Sequence, residues 1–126
     1  MLVTLEGDSP YHNMWVIPMG YVQSNENVVD AVAREVKEET GIETEVEGLV
    51  GVYDDRIDME AADLHHVIVC YRTKALTNQP KVTREAREWV WKDRKGIERL
   101  DAPRVVRAML SDYFESRGSR WFSLFS

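Results

Sequence analysis

The sequence predicts an α/β (α+β) fold, in which a mixed sheet is flanked by helices, as one domain over residues 1–126. Two segments carry apolar residues at helical spacing, and several shorter segments rich in Val, Ile and Tyr indicate strands. They follow one another as strands, helix, strands, helix, an order typical of helices layered on a sheet. The length suits one hydrophobic core, because single domains commonly contain about 100–150 residues.

The N-terminal half predicts two extended segments followed by a helix. We expect a short strand over residues 2–5 and extended structure over residues 14–23. Pro and Gly interrupt the second segment and predict a loop at residues 18–20. The helix has Asn27 as its predicted N-cap and Gly41 as its predicted C-terminal stop. Its apolar stripe consists of Val28, Val29, Val32, Ala33 and Val36.

The C-terminal half predicts three further strands and a second long helix. Residues 43–53, 65–74 and 88–91 have strand-like composition. The polar, acidic stretch of residues 54–64 predicts a loop between the first two of these strands. Residues 102–114 predict an amphipathic helix that packs on the sheet. Its apolar positions are Val105, Val106, Met109, Leu110 and Phe114.

Composition narrows the classes of partner. The 22 acidic and 16 basic residues give a net charge of −6, and such a surface repels a long nucleic acid. A small phosphorylated substrate stays compatible with this charge if metal ions bridge the two negative parties. The single cysteine, Cys70, excludes an internal disulfide and predicts a buried thiol in an apolar run. No apolar run suggests a membrane span or a signal peptide, so we expect a cytoplasmic protein.

Three glutamates lie on one face of the first predicted helix. Glu35, Glu38 and Glu39 are related by i, i+3 and i+4, which places their carboxylates side by side. Like charges at this spacing weaken an isolated helix, whereas a divalent cation bound by their oxygen atoms would offset the repulsion. The spacing alone is also typical of a solvated acidic helix face, and both interpretations stay open at this point.

The surrounding pattern favours the metal-binding interpretation. It matches a fixed spacing over residues 20–42, and the matched positions are Gly20, Glu26, Arg34, Glu35, Val36, Glu38, Glu39, Gly41 and Ile42. This pattern resembles the Nudix box without a missing position. The resemblance implies an α/β/α sandwich with a loop-helix-loop motif. It also implies Mg²⁺- or Mn²⁺-dependent hydrolysis of a pyrophosphate bond in a nucleoside diphosphate linked to another group.

The resemblance also implies roles for the residues of the box. Glu35, Glu38 and Glu39 would be metal ligands, and Arg34 would orient a carboxylate, most directly that of Glu35. Glu26 would add a negative charge beside them. Two further positions, Gly20 and Gly41, would serve backbone turns.

Met19 departs from the family pattern. The residues before the box are usually Pro-Gly-Gly, and here they are Pro18-Met19-Gly20. In several relatives the backbone carbonyl of the middle residue coordinates a metal ion, so the resemblance implies the same role for Met19. A positive φ at this position would strain Met where Gly is not strained.

The general base is assigned to one of three carboxylates. A carboxylate must take a proton from the attacking water, and within the box Glu38 is the candidate. Many Nudix enzymes place a further acidic residue in a late segment that residues 88–91 resemble. Glu88 is therefore the candidate outside the box, and Glu85 is the second choice. For both, an ordinary surface glutamate is the alternative.

The resemblance leaves three functional alternatives. Residues 51–56 and 65–69 resemble the ADP-ribose pyrophosphatase-like group, which favours ADP-ribose or a nucleotide sugar as substrate. Clearance of nucleoside triphosphates is the second alternative, and a nucleotide-sensing domain without catalysis is the third. Arg56 is a candidate for binding a terminal phosphate, with an ordinary surface charge as the alternative. Base stacking is open to four aromatic residues, with packing as the alternative: Tyr11, Trp15, Tyr21 and Tyr53.

Two further expectations concern the strands. His65 and His66 alternate on a strand, so they face opposite sides, and we interpret both as structural. Nudix domains usually have another strand before the segment that residues 2–5 resemble. We expect either a truncated start or a free sheet edge that pairs with another chain, as in a homodimer.

Overall fold

The computed structural model describes residues 2–6, 14–59, 62–83 and 86–116. The elements in chain order are β1 (Leu2–Glu6), β2 (Trp15–Val16), α1 (Val28–Thr40), β3 (Thr44–Met59), β4 (Ala62–Ala75), β5 (Ala86–Trp91), α2 (Arg94–Glu98) and α3 (Arg104–Ser116). The predicted alternation of strands and helices is confirmed, and α2 is an additional short helix. Between β2 and α1, residues 17–23 have no regular structure, so the predicted extension continues less far than expected.

The described strands form two sheets. One sheet has the order β2-β1-β5, and the other is the β3–β4 hairpin. All pairings between described strands are antiparallel, although the sequence suggested a mixed sheet. Because β1 lies between β2 and β5, the edges of the first sheet are β2 and β5. Pairing of an edge with another chain stays a prediction.

The β3–β4 hairpin is longer than predicted. The loop predicted over residues 54–64 is wrong, because β3 continues to Met59 and β4 begins at Ala62. Residues 60–61 lie outside the described residues. Asp54 pairs with Val67 and Arg56 pairs with His65, so the polar run continues the ladder. Its charged side chains are tolerated because Asp54 and Arg56 occupy exposed positions on the alternating strand.

Helix α1 begins and ends at the predicted capping residues. The Asn27 side chain accepts a 2.8 Å hydrogen bond from the backbone N–H of Asp30. Gly41 has φ 76°, and its N–H donates to the Lys37 carbonyl at 2.8 Å. The predicted valine stripe is only partly buried, and Val29 is 44% exposed. The buried residues of α1 are Ala31, Glu39 and Thr40.

The core lies between α3, the hairpin and β2. Its buried side chains are Val16, Val50, Cys70, Ile97, Val105, Val106, Met109 and Leu110. The predicted apolar face of α3 and the predicted burial of Cys70 are thus confirmed. Helix α3 begins at Arg104 and not at Ala102, because a residue that precedes proline is disfavoured in the helical region. The first helical hydrogen bond runs from Arg107 N–H to the Pro103 carbonyl at 3.0 Å.

The helices of the described residues are all too short or too polar to cross a membrane. The longest of them, α1 and α3, each contain 13 residues. A membrane-spanning helix needs about 20 apolar residues.

Candidate active site

The guanidinium of Arg34 forms ion pairs with three carboxylates, one in the loop before α1 and two on the face of α1. Arg34 Nη2 contacts Glu26 Oε1 at 2.6 Å, and Arg34 Nε contacts Glu26 Oε2 at 3.0 Å, a two-pronged ion pair. Its Nη1 contacts Glu35 Oε1 at 2.7 Å and Glu38 Oε2 at 3.1 Å. We call these four residues the Arg34 cluster. Three of the four box carboxylates therefore meet at one cation.

The Arg34 cluster shifts the ionisation of its members. The hydrogen bonds that Arg34 donates to Glu26 and then to Glu35 raise the pKa of Arg34. In return, the Arg34 hydrogen bond, followed by the backbone hydrogen bond from Gln23, lowers the pKa of Glu26. Both shifts favour the charged forms, because each charge is stabilised by the opposite one. Arg34 therefore stays a fixed cation at the centre of the site.

Arg34 also fastens the loop that precedes α1. Its Nη2 donates to the backbone carbonyl of Tyr21 at 3.0 Å. The N–H of Gln23 donates to Glu26 Oε1 at 2.9 Å, which closes the turn that leads into the helix. Residues 21–26 are thus held to the helix by the same cluster that holds the carboxylates.

Gly20 leaves room for the Glu35 carboxylate, which lies where the side chain of another residue would begin. A Cβ at this position would lie 1.9 Å from Glu35 Cδ and 2.2 Å from Glu35 Oε2. Among the described glycines, positive φ occurs at Gly41 alone. Gly41 therefore has the backbone role expected of it, whereas Gly20 lets a carboxylate lie directly against the main chain. This contact was not expected from the sequence, because it depends on how the loop packs on α1.

Glu39 is a buried carboxylate beneath the same loop. It is 8% exposed, and its two oxygen atoms accept from the Met19 N–H at 3.2 and 3.4 Å. Burial of a carboxylate costs free energy unless it is paired or hydrogen bonded, so this contact compensates part of that cost. The structure thus joins Met19 to Glu39 through the amide. The expected role of the Met19 carbonyl as a metal ligand stays a prediction.

A segment after β4 closes the C-terminal end of α1. The Lys81 N–H donates to the Thr40 carbonyl at 2.7 Å, and the Thr83 hydroxyl donates to the Glu39 carbonyl. The Thr40 hydroxyl donates to the Val36 carbonyl at 2.6 Å. Carbonyls at the last turn of a helix lack partners within the helix, so the bonds from Lys81 and Thr83 satisfy those of Thr40 and Glu39. Sequence reasoning missed Lys81 and Thr83, whose contacts are long-range.

The three box glutamates that lie on helix α1 differ in accessibility. The side chain of Glu38 is 49% exposed, that of Glu35 is 15% exposed, and Glu39 is buried. Arg34 contacts only Oε1 of Glu35 and only Oε2 of Glu38, so each has a second oxygen not bonded to Arg34. Carboxylate oxygens suit Mg²⁺ or Mn²⁺. Among the described residues no three His, Cys, Asp or Glu side chains are arranged so that they could hold a metal ion, so binding would require the glutamate side chains to rotate.

Two predicted residues are not members of the Arg34 cluster. Glu88 is exposed on β5. Tyr53 packs against the core, and its hydroxyl donates to Asp112 Oδ2 at 2.7 Å. Its burial, and then this bond, raise its pKa. Their proposed roles stay predictions. Glu85 and Tyr11 lie outside the described residues.

The two adjacent histidines have different partners, as the alternation predicted. His65 contacts Asp54 at 2.6 Å on the exposed face of the hairpin, where Arg56 also lies. His66 faces the other side, where its Nε2 and the Tyr21 hydroxyl share a 3.1 Å hydrogen bond. Arg56 is thus on the opposite face of the hairpin from His66, and its role in phosphate binding also stays a prediction.

Comparison with known proteins agrees with this geometry. The chain is 40% identical over 53 residues to an ADP-ribose pyrophosphatase of Methanocaldococcus jannaschii, a match of 42% of this chain and 31% of that protein. In two of the curated relatives that it matches, the aligned part is less than half of the relative's length. The activities and substrates of these relatives are therefore not assigned to this chain.

Solved structures share the fold over most of the chain. A MutT NUDIX hydrolase of Burkholderia pseudomallei is 29% identical with a TM-score of 0.74, covering 88% of this chain and 85% of that one. The NUDIX domain of Shewanella oneidensis NrtR, complexed with ADP ribose, has a TM-score of 0.76 at 14% identity, covering 90% and 75%. The profile of the NUDIX domain matches residues 1–113, the span that contains both the sheet strands and the Arg34 cluster. By sequence and by fold, the chain belongs to the Nudix domain family.

Proposed function

We propose that the chain is a Mg²⁺- or Mn²⁺-dependent pyrophosphohydrolase that cleaves a nucleoside diphosphate-linked substrate, with ADP-ribose or a nucleotide sugar favoured. The observation that carries the proposal is the Arg34 cluster. Its guanidinium fixes Glu26, Glu35 and Glu38 beside a loop whose glycine leaves room for the Glu35 carboxylate. A purely solvated acidic face would not need such a fixed arrangement.

The carboxylates fit a divalent cation by their chemistry. Glu35 and Glu39 would hold it, Glu35 through the oxygen that Arg34 leaves, and Glu38 would be a further ligand only where Glu88 is the base. The Met19 carbonyl would add a neutral oxygen. When bound, the cation neutralises the diphosphate and lowers the pKa of a coordinated water.

The exposure of the glutamate side chains indicates which of them can take a proton from water. Glu38, the most exposed of the three box glutamates on helix α1, is suited to accept the proton of the attacking water. The water oxygen bonds to one phosphorus while the bond from that phosphorus to the bridging oxygen breaks. Arg34 keeps the carboxylates oriented during this change. Glu88 is the alternative base, and it would have to act from β5.

The substrate class is supported by the named relatives and by the hairpin sequence. The Methanocaldococcus jannaschii relative is named an ADP-ribose pyrophosphatase, and the NrtR domain has been solved with ADP ribose. A nucleotide-sensing domain without catalysis is the alternative of another class. The full set of box carboxylates disfavours it, because sensing needs no metal-activated water.

A substrate panel with identified products tests the proposal. ADP-ribose, a nucleotide sugar and nucleoside triphosphates are each incubated with Mg²⁺, with Mn²⁺, and with EDTA as the control. We expect ADP-ribose to give AMP and ribose 5-phosphate only when the metal is present. Release of pyrophosphate from triphosphates instead would reject the favoured substrate class. Binding of ADP-ribose without any product would reject the enzyme and support the sensing domain.

A further inference from the structure

A contact between Tyr21 and His66 joins the loop before α1 to strand β4. The hydroxyl of Tyr21 and Nε2 of His66 are 3.1 Å apart, and the two rings meet edge to face with centroids 5.7 Å apart. The residues are separated by 45 positions in the chain. The contact therefore fixes the position of a loop side chain against an element that is rigid by its strand pairing.

The backbone carbonyl and the side-chain hydroxyl of Tyr21 both have hydrogen-bond partners, while the residue is exposed to solvent. Its backbone carbonyl accepts from Arg34, and its hydroxyl contacts His66, yet the residue is 75% exposed. An exposed ring usually gains little by being fixed, because ordering a side chain costs conformational entropy. An aromatic face that is fixed in advance is suited to stacking on a planar group.

The charges around Tyr21 indicate which part of a nucleotide it would contact. The cation beside it, Arg34, is already matched by Glu26, Glu35 and Glu38. The surroundings therefore offer an aromatic face and acidic groups, which suit an uncharged planar base better than another phosphate. The carbonyl contact with Arg34 places Tyr21 at the margin of the proposed reaction site.

We propose that His66 is a positioning residue that holds the Tyr21 ring as a stacking platform for the nucleobase of the substrate. The proposal rests on the proposed function for its substrate class. His66 acts through Tyr21 and takes no part in the bond-breaking step. A loop anchor without a ligand role is the alternative, and it would act on stability without distinguishing ligands that have a base from those that lack one.

Steady-state kinetics on ADP-ribose test the positioning role. In His66→Phe the ring is kept and the hydrogen bond is lost, so we expect KM to rise about 3- to 10-fold with kcat unchanged. In His66→Gln an amide nitrogen takes the place of Nε2, and we expect KM to return toward the wild-type value. Tyr21→Phe should raise KM similarly, and the double variant should add nothing further. His65→Phe on the opposite face is the matched control and should leave KM unchanged.

Ligand binding tests the same proposal without turnover. Titrations of AMP and ribose 5-phosphate are followed by NMR of the histidine rings and by calorimetry, with and without Mg²⁺. We expect AMP to shift the His66 resonances and to bind about 3- to 10-fold more weakly to His66→Phe. Replacing the ring, as in Tyr21→Ser, should weaken AMP by about 10-fold or more, as loss of a stacking partner does. Binding of ribose 5-phosphate should be the same in all variants.

The outcomes separate this proposal from the proposed function. No AMP binding, an equal loss for both ligands, or an unchanged AMP affinity in His66→Phe would overturn the platform. Hydrolysis of ADP-ribose with unchanged KM in His66→Phe would reject the platform and retain the enzyme. Base-dependent AMP binding in a chain that cleaves no member of the substrate panel would retain the platform and reject the hydrolase.

Discussion

Arg34 explains how α1 tolerates several carboxylates on one face. Neighbouring like charges at i+3 and i+4 each destabilise a helix by about 0.2–0.5 kcal/mol, and anions near its C-terminus also oppose the helix dipole. The guanidinium contacts Glu35 and Glu38 through Nη1, and it contacts Glu26 through Nε and Nη2. The repulsion is therefore offset by an arginine next to the first of these glutamates on the helix.

Substitution of Gly20 by Ala tests the close approach of Glu35. The new Cβ would overlap the carboxylate carbon, so Glu35 must move out of the Arg34 cluster. We expect kcat to fall by about 100-fold, since a displacement of about 1 Å can cost this much. Gly96→Ala is the control, because its Cβ would meet the flexible Lys92 side chain. Equal activity in Gly20→Ala and wild type would contradict this account of Gly20.

The lowered pKa of Glu26 predicts how the free energy of unfolding depends on pH. Its pKa in the folded protein is lowered from the ordinary value of 4.5, chiefly by the Arg34 hydrogen bond. Its ionised form therefore stabilises the fold above the unfolded-state pKa, and this contribution is lost as pH falls through the lowered pKa. Urea unfolding of wild type and Glu26→Gln should differ at about pH 7, and the difference should shrink toward about pH 3. A difference that grows on acidification would refute the assignment.

Helix α1 is held at both ends by different kinds of contact. Its start is fixed by the Asn27 cap, and its end by Gly41 and by the segment after β4 that contains Lys81 and Thr83. Glu39 is the last box glutamate, and its own carbonyl is one of the groups that this segment contacts. The position of the buried carboxylate thus depends on residues far away in the chain.

Substitution of Thr83 by Val tests this closure. The methyl replaces the hydroxyl at the same volume and removes the hydrogen bond to the Glu39 carbonyl. We expect the free energy of unfolding to fall by about 1 kcal/mol. Thr83→Ser keeps the hydroxyl and is the matched control in the same urea titrations. A loss in Thr83→Ser with none in Thr83→Val would show that the methyl group, and not the hydrogen bond, matters.

The elements show where sequence patterns suffice and where they fail. Both ends of α1 and the apolar face of α3 were predictable, because capping and helical periodicity are local properties. Helix α2 was missed, since five residues are too few to show a period. The end of the β3–β4 hairpin was also missed, because a charged run on an exposed strand face has the composition of a loop.

At the scale of the molecule, the core and the site are separate but share the loop before α1. Met19 packs against the core cluster, and its N–H reaches Glu39 in the site. The family pattern predicted the pair of Arg34 with Glu35, but not the contacts of Arg34 with Glu26 and Glu38. It did not predict the contacts of Gly20, Thr83 or His66, which depend on tertiary packing.

The rate at which Cys70 reacts with a thiol reagent measures how often the hydrophobic core opens. It is the single cysteine of the chain, and burial raises its pKa to about 12. Its thiol is therefore protonated and shielded at neutral pH, and the thiolate is the reactive form. We expect slow reaction with a thiol reagent in the native protein and complete reaction after unfolding in guanidinium. Fast native labelling, at the rate of a free thiol, would contradict a core packed around Cys70.

The central claim is that the carboxylates of the Arg34 cluster perform the hydrolysis. Its most direct measurement is kcat for the hydrolysed nucleotide in Glu38→Gln, compared with Glu45→Gln, an exposed glutamate on β3. Because Glu38 is assigned the proton of the attacking water, its loss should lower kcat by about 100-fold or more, whereas Glu45→Gln should match wild type. Equal metal-dependent turnover in Glu38→Gln and wild type would contradict the claim.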